Sequence, residues 1–127
     1  MLELTTSKAD LALAIDGEVV AVAADYSDAN LSKAMRVISE VSEELQAINA
    51  RAAEDGTETD ADMADALAQV RRLPDLILGE KQTDMLVDRL GGAALSQLTK
   101  VIAYLAAECG KRLGAVREAR VEYYLND

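Results

Sequence analysis

Residues 10–22 read Asp-Leu-Ala-Leu-Ala-Ile-Asp-Gly-Glu-Val-Val-Ala-Val and carry the one clear β signal in the chain. Leu11, Leu13 and Ile15 alternate with Ala12 and Ala14, and Asp16-Gly17 then supplies a two-residue turn. Asp-Gly between alternating apolar runs signals a hairpin and sets its register. Closing the turn there places Ile15 opposite Glu18, Leu13 opposite Val20 and Leu11 opposite Val22. One face then carries Leu11, Leu13, Ile15, Val20 and Val22, and asks for a core. The other carries Ala12, Ala14, Val19 and Ala21, small enough to admit another backbone or helix. A hairpin alone is marginal in water, so it must lie on helices, on a partner chain, or on both.

Nearly everything after the hairpin reads as helix. A long helix is expected from about Asp28 to Glu54, capped by Ser27 or Asp28 and stopped at Asp55-Gly56. Leu31, Met35, Ile38, Val41, Leu45 and Ile48 recur at steps of three and four, which is one helical stripe. After a polar linker, Thr59 and Asp62 resemble a capping box. Met63, Leu67, Val70 and Leu73 form the next stripe, with Arg71 and Arg72 in its last turn. Pro74 is expected to end or kink that helix at Leu73. A third helix spans about Glu80 to Leu90 and stops at Gly91-Gly92. A fourth starts near Ala93 and carries Leu95, Leu98, Ile102, Leu105 and Cys109. Gly110 and Gly114 are expected to break or bend it, with Val116, Ala119 and Tyr123 continuing the stripe. The fold class is therefore mainly α (α+β), an N-terminal β-hairpin packed on a bundle of about four helices. Residues 1–127 form a single domain, with the hairpin at 8–24 and the helical bundle at 28–127.

Half of the residues are hydrophobic, which argues against disorder. All four aromatic residues are Tyr, so Leu, Ile, Val, Met and Ala must fill the core. The net charge of −10 disfavours a nucleic-acid partner, whose phosphates need Lys or Arg. It also disfavours an acidic membrane surface, and it suits an apolar or basic protein partner. The start of the sequence lacks the pattern of a signal peptide, and no run of about 18 apolar residues is expected to span a membrane. A cytoplasmic location follows as an expectation.

No side chain is assigned a catalytic, cofactor or metal role. With no histidine there is no Ser-His or Cys-His pair. Cys109 reads as a core residue. The acidic run Asp55, Glu58, Asp60, Asp62, Asp65 reads as a solvated linker and helix start, with weak calcium binding as the alternative. Gly110 and Gly114 have GxxxG spacing, read as a close helix crossing or bend, with self-association as the alternative. The candidate partner-binding residues are Ala12, Ala14, Val19 and Ala21 on the hairpin, Leu76, Ile77 and Leu78, and Tyr124 and Leu125. For Leu76-Ile77-Leu78 the alternatives are wrapping the core and serving as an exposed anchor. For the tyrosines they are core packing and a binding tail.

The order of elements resembles the tail assembly chaperones of long-tailed bacteriophages and their prophage relatives. The likeness covers roughly residues 8–110. It rests on the hairpin around Ile15-Asp16-Gly17, the long acidic helix, the Ile77-Leu78-Gly79-Glu80 region and the Ala-rich helix from Leu98 to Ala107. The resemblance implies a non-enzymatic protein of the bacterial host cytoplasm. It also implies no cofactor, binding to a tape measure protein, and self-association into a homo-oligomer. The runner-up reading is an acidic helical adaptor or a secretion-type chaperone for another protein, although the latter usually needs more strands.

Overall fold

The computed structural model describes the backbone of residues 1–125 and the side chains of residues 1–119. Two antiparallel strands, β1 (Lys8–Ile15) and β2 (Glu18–Asp25), precede the helices α1 (Asp28–Asp55), α2 (Asp60–Val70) and α3 (Arg72–Leu78). Then come α4 (Glu80–Leu90), a 3-10 turn at Gly91–Ala93, and α5 (Ala94–Leu125). The architecture is mainly α with a hairpin on the helices, and the described bundle has five α-helices rather than about four.

The hairpin forms as its turn dictates. Asp16 and Gly17 both take positive φ, 50° and 82°, the combination whose twist matches that of the flanking strands. The register runs from Lys8 opposite Asp25 to Ile15 opposite Glu18 and contains all three expected pairs. Val20, Val22 and Ala24 point into the core and are buried with Tyr26, which follows β2. They pack with Leu31 and Ala34 of α1, Leu73, Ile77 and Leu78 of α3, Leu86 of α4, and Leu105 and Cys109 of α5. Fully burying a valine side chain stabilises by roughly 1.5–3 kcal/mol.

Two stripes shift from their expected positions, and one helix end moves. In α1 the buried residues are Leu31, Ala34, Val41 and Ile48, while Met35 is 48 % exposed. Ala34 takes the inward place because its small side chain lets the hairpin side of the bundle approach. In α2 the capping box does form: the Thr59 hydroxyl accepts from Asp62 N–H at 3.1 Å, and the Asp62 carboxylate accepts from Thr59 N–H at 3.2 Å. That start turns Asp62, Ala66 and Val70 inward and leaves Met63 47 % exposed. Pro74 does not stop a helix at Leu73. α2 ends at Val70, and Pro74 lies in the first turn of α3, where an amide proton is dispensable. Arg71 and Arg72 therefore sit at the junction, where Arg71 pairs with Asp75 and Asp84, and Arg72 with Glu40.

α5 passes through Gly110 and Gly114 unbroken, which corrects the expected break. A Cβ at either glycine would meet no atom within 4 Å, so the spacing marks no close crossing among the described residues. Cys109 is fully buried, and burial pushes its thiol pKa up. By length and composition alone, the helical stretch Glu80–Ala119 is apolar enough to cross a membrane, a property that core helices of soluble proteins share. In this fold that stretch turns at Gly91–Ala93 and gives Leu86, Leu98, Leu105 and Cys109 to the core.

The two faces of the hairpin should respond differently to charge. Val20→Asp is expected to cost about 3 kcal/mol or more, because it places a carboxylate in the core. Val19→Asp on the outer face should stay within about 0.5 kcal/mol of the parent. Urea unfolding of both variants checks this, and equal losses would show that the bulky face is not core.

Candidate functional site

The hairpin is held through β2. Tyr26 N–H donates to Ser7 C=O at 2.8 Å, making Ser7 and Tyr26 a hydrogen-bonded position of the ladder. Such positions alternate along an antiparallel pair. Asp10, Ala12 and Ala14 of β1, and Val19, Ala21 and Ala23 of β2, therefore aim their backbone groups outward, away from the opposite strand.

On the β2 edge the side-chain amide of Gln82, from α4, closes on Ala23. It accepts from Ala23 N–H and donates to Ala23 C=O, each at 2.8 Å. A second polar clamp holds the strand's end, where the Asn30 amide donates to Asp25 C=O at 2.8 Å and to Leu76 C=O at 3.1 Å. Arg89 adds an ion pair to Glu18 at 3.3 Å. Sequence reading missed Gln82 and Asn30, because their spacing from the strand in sequence gives no sign of contact.

The β1 edge differs. The sheet has two strands only, and among the described residues no hydrogen bond reaches the outward groups of Asp10, Ala12 or Ala14. β1 also overhangs the helices. Leu11 and Leu13 are only half-buried, whereas their partners Val22 and Val20 are buried, and Ile15, opposite the exposed Glu18, is half-buried as well. Ala12, Ala14, Val19 and Ala21 come together on the outer sheet face as expected, all exposed, with Val19 at 73 %.

The other candidates are not brought to this face. Ile77 and Leu78 are buried and Leu76 is half-buried, which fits the wrapping of the core, removes the exposed-anchor alternative and corrects their assignment as partner-binding residues. α3 lies against both α1 and β2, so its apolar residues are enclosed. Tyr124 and Leu125 lie outside the residues whose side chains are described.

A second apolar surface opens between α1, α3 and α5. Ile38, Val41, Ser42, Leu45, Leu73, Thr99 and Ile102 line a groove of about 250 Å³. The stripes had assigned Ile38, Leu45 and Ile102 to the core, yet all three are only half-buried. Their signal in sequence is the same as that of core residues, so the groove was not legible there. A wider polar hollow of about 560 Å³ lies beside the start of α1. Its cation is committed, since Arg112 stacks 4.3 Å above the Tyr26 ring and bonds Glu108 at 3.0 Å. Burial, helped by Glu108, pushes the Tyr26 pKa up to about 12.

Part of the acidic run is engaged in the same way, with Arg51 reaching both Asp62 and Asp65. Asp62 is engaged by Thr59 and lies 3.5 Å from Arg51, and these contacts lower its pKa, the Thr59 amide most. Among the described residues no group of three or more His, Cys, Asp or Glu is placed to hold a metal ion. Compared with protein families, with curated proteins and with solved structures, the chain has no significant match in any of the three.

Two measurements probe these contacts. Gln82→Ala should cost about 0.5–1.5 kcal/mol and speed amide exchange at Ala23 while leaving the inward amides of β2 slow. Unchanged exchange would remove Gln82 as the edge clamp. For Asp62, the lowered pKa means its ionised form favours the folded state. That contribution is complete above the ordinary aspartate range near pH 4, and is lost as pH falls through the lowered value. Asp62→Ala should thus melt below the parent at pH 7, and the gap should close toward about pH 2. A gap independent of pH would show that the carboxylate charge is not what caps α2.

Proposed function

We propose that this protein is a non-enzymatic tail assembly chaperone of the kind found in long-tailed bacteriophages, acting in the cytoplasm of a bacterial host. It would bind a tape measure protein, a long helical chain with apolar stripes, and keep it soluble during tail assembly. The observation that carries this reading is the solvent-open apolar groove between α1, α3 and α5 on a protein of net charge −10. Such a groove suits one face of an amphipathic helix, and the surrounding acidity suits basic residues on that helix. The order of hairpin, long acidic helix and Ala-rich helix supports the same reading. In this role the protein needs neither catalysis nor a cofactor.

Gene neighbourhood is the first check. A gene for a very long coiled protein beside this one is expected, and metabolic neighbours would overturn the phage role. Co-expressed with that coiled protein, the chain should co-purify with it and keep it soluble. Leu45→Glu puts a charge in the groove at a half-buried position. It should weaken binding by about tenfold or more. Binding that survives this variant would move the site away from the groove.

A further inference from the structure

We propose that the open β1 edge pairs with the β1 edge of a second copy, joining two hairpins into one four-stranded antiparallel sheet. The interface differs from the helical groove and does not depend on the chaperone reading. Three observations lead to it. The outward N–H and C=O groups of Asp10, Ala12 and Ala14 have no partner among the described residues, and they alternate at the spacing only another extended strand can match. The opposite edge is interrupted, with Gln82 on Ala23 and Asn30 on the Asp25 carbonyl, so β2 leaves only Val19 and Ala21 unengaged while β1 offers a longer run. The inner side chains of β1 are left half-exposed where β1 overhangs the helices.

The occupant follows from self-complementarity. Antiparallel pairing of two identical strands places a two-fold axis on or between residues, and an isologous contact of this kind closes at two copies. Only registers that oppose Lys8, Asp10, Ala12 and Ala14 to one another use the outward groups. Centred on Ala12, the pairing sets Ala12 against Ala12, and Asp10 against Ala14 of the second copy. The half-buried Leu11 then meets Leu13 of the second copy on the inner face, twice over. Lys8 then lies by the Asp16-Gly17 turn of the second copy, which brings a cation near a carboxylate at each end. Centring on Asp10 instead would oppose two aspartates, which disfavours that register. Apolar pairs in the middle and opposite charges at both ends make a second copy of this chain a better fit than an unrelated strand.

The register is testable at one exposed position. Ala12 sits on the proposed axis and lies on the outer face, so a charge there leaves the isolated fold intact. In sedimentation equilibrium the parent protein should be a dimer. Ala12→Lys and Ala12→Glu should each weaken self-association by about tenfold or more, because like charges meet across the axis. Mixing the two variants should restore a one-to-one dimer. Far-UV circular dichroism melts confirm that each variant is folded, and Ala12→Pro, which removes an outward N–H, should also give monomer. A parent protein that stays monomeric at millimolar concentration overturns the proposal. So does a dimer that both charged variants leave unchanged, or one that mixing fails to restore. Leu45→Glu should leave the dimer intact, which separates a failure here from a failure of the chaperone reading.

Discussion

The structure depends on burying one strand. Two strands cannot by themselves enclose an apolar face, and here only β2 lies fully over the helices. Val20, Val22, Ala24 and then Tyr26 enter the core in sequence, and α1 begins immediately after them. Four helices contribute to the surface they meet: α1, α3, α4 and α5. β1 is seated less deeply. Ala9, Leu11, Leu13 and Ile15 pack against the rim of the core and stay half-buried, and the ladder with β2 supplies the rest of its order. The helices that bury β2 also bring Gln82 and Asn30 to its edge at Ala23 and Asp25, whereas the edge of β1 receives no such side chain among the described residues.

Apolar burial does not by itself fix where a strand lies along a helical surface, and polar side chains supply that placement. Gln82 imitates a neighbouring strand at one residue of β2. Asn30 bridges the end of β2 to α3 and so locks the hairpin to the start of α1 and to the short helix beneath it. The arginines at the α2–α3 junction act at a second corner, tying α3 to α1 through Glu40 and to α4 through Asp84. Partly exposed ion pairs contribute only about 0–1 kcal/mol each. Their value lies in selecting one corner geometry among several that the core would tolerate.

What was legible in the sequence was whatever local chemistry determines. The Asp16-Gly17 turn permits one register, and that register sorts every hairpin side chain to a face, so both faces could be read. The bounds of α1 and α4 follow from Ser27, Gly56, Gly79 and Gly91, residues that act within a turn of where they stand. Helix phase was harder. Met63 and Asp62 compete for the inward position of α2, and hydrophobicity favours Met63. The capping box decides for Asp62 by turning its carboxylate back on the Thr59 amide. Met35 gives way to Ala34 because close approach, a property of two surfaces, outweighs the apolarity of one side chain. Pro74 reads as a terminator from its own ring, but a proline in a first turn interrupts nothing. The groove was invisible because Ile38, Leu45 and Ile102 have core periodicity. Only the arrangement of α1 against α5 leaves them half open.

The distribution of charge bears on what the open edge is for. Soluble proteins commonly guard exposed strands with lysine, proline, a bulge or a covering element. This chain covers β2 with Gln82 but leaves the middle of β1, Ala12 and Ala14, without any charged side chain. The charges of β1, Lys8 and Asp10, lie in its first half, and Asp16 follows in the turn. With a net charge of −10, two copies repel at a distance, but that repulsion is screened beyond about 8–10 Å at physiological salt. Within that range the contact is governed by local matching of backbone groups, leucines and end charges. Neutral residues at Ala12 and Ala14 put no like charges across an axis at Ala12, while Asp10 disfavours a register centred on itself. Once two copies are within that range, the proposed pairing rests on the local match rather than on net charge.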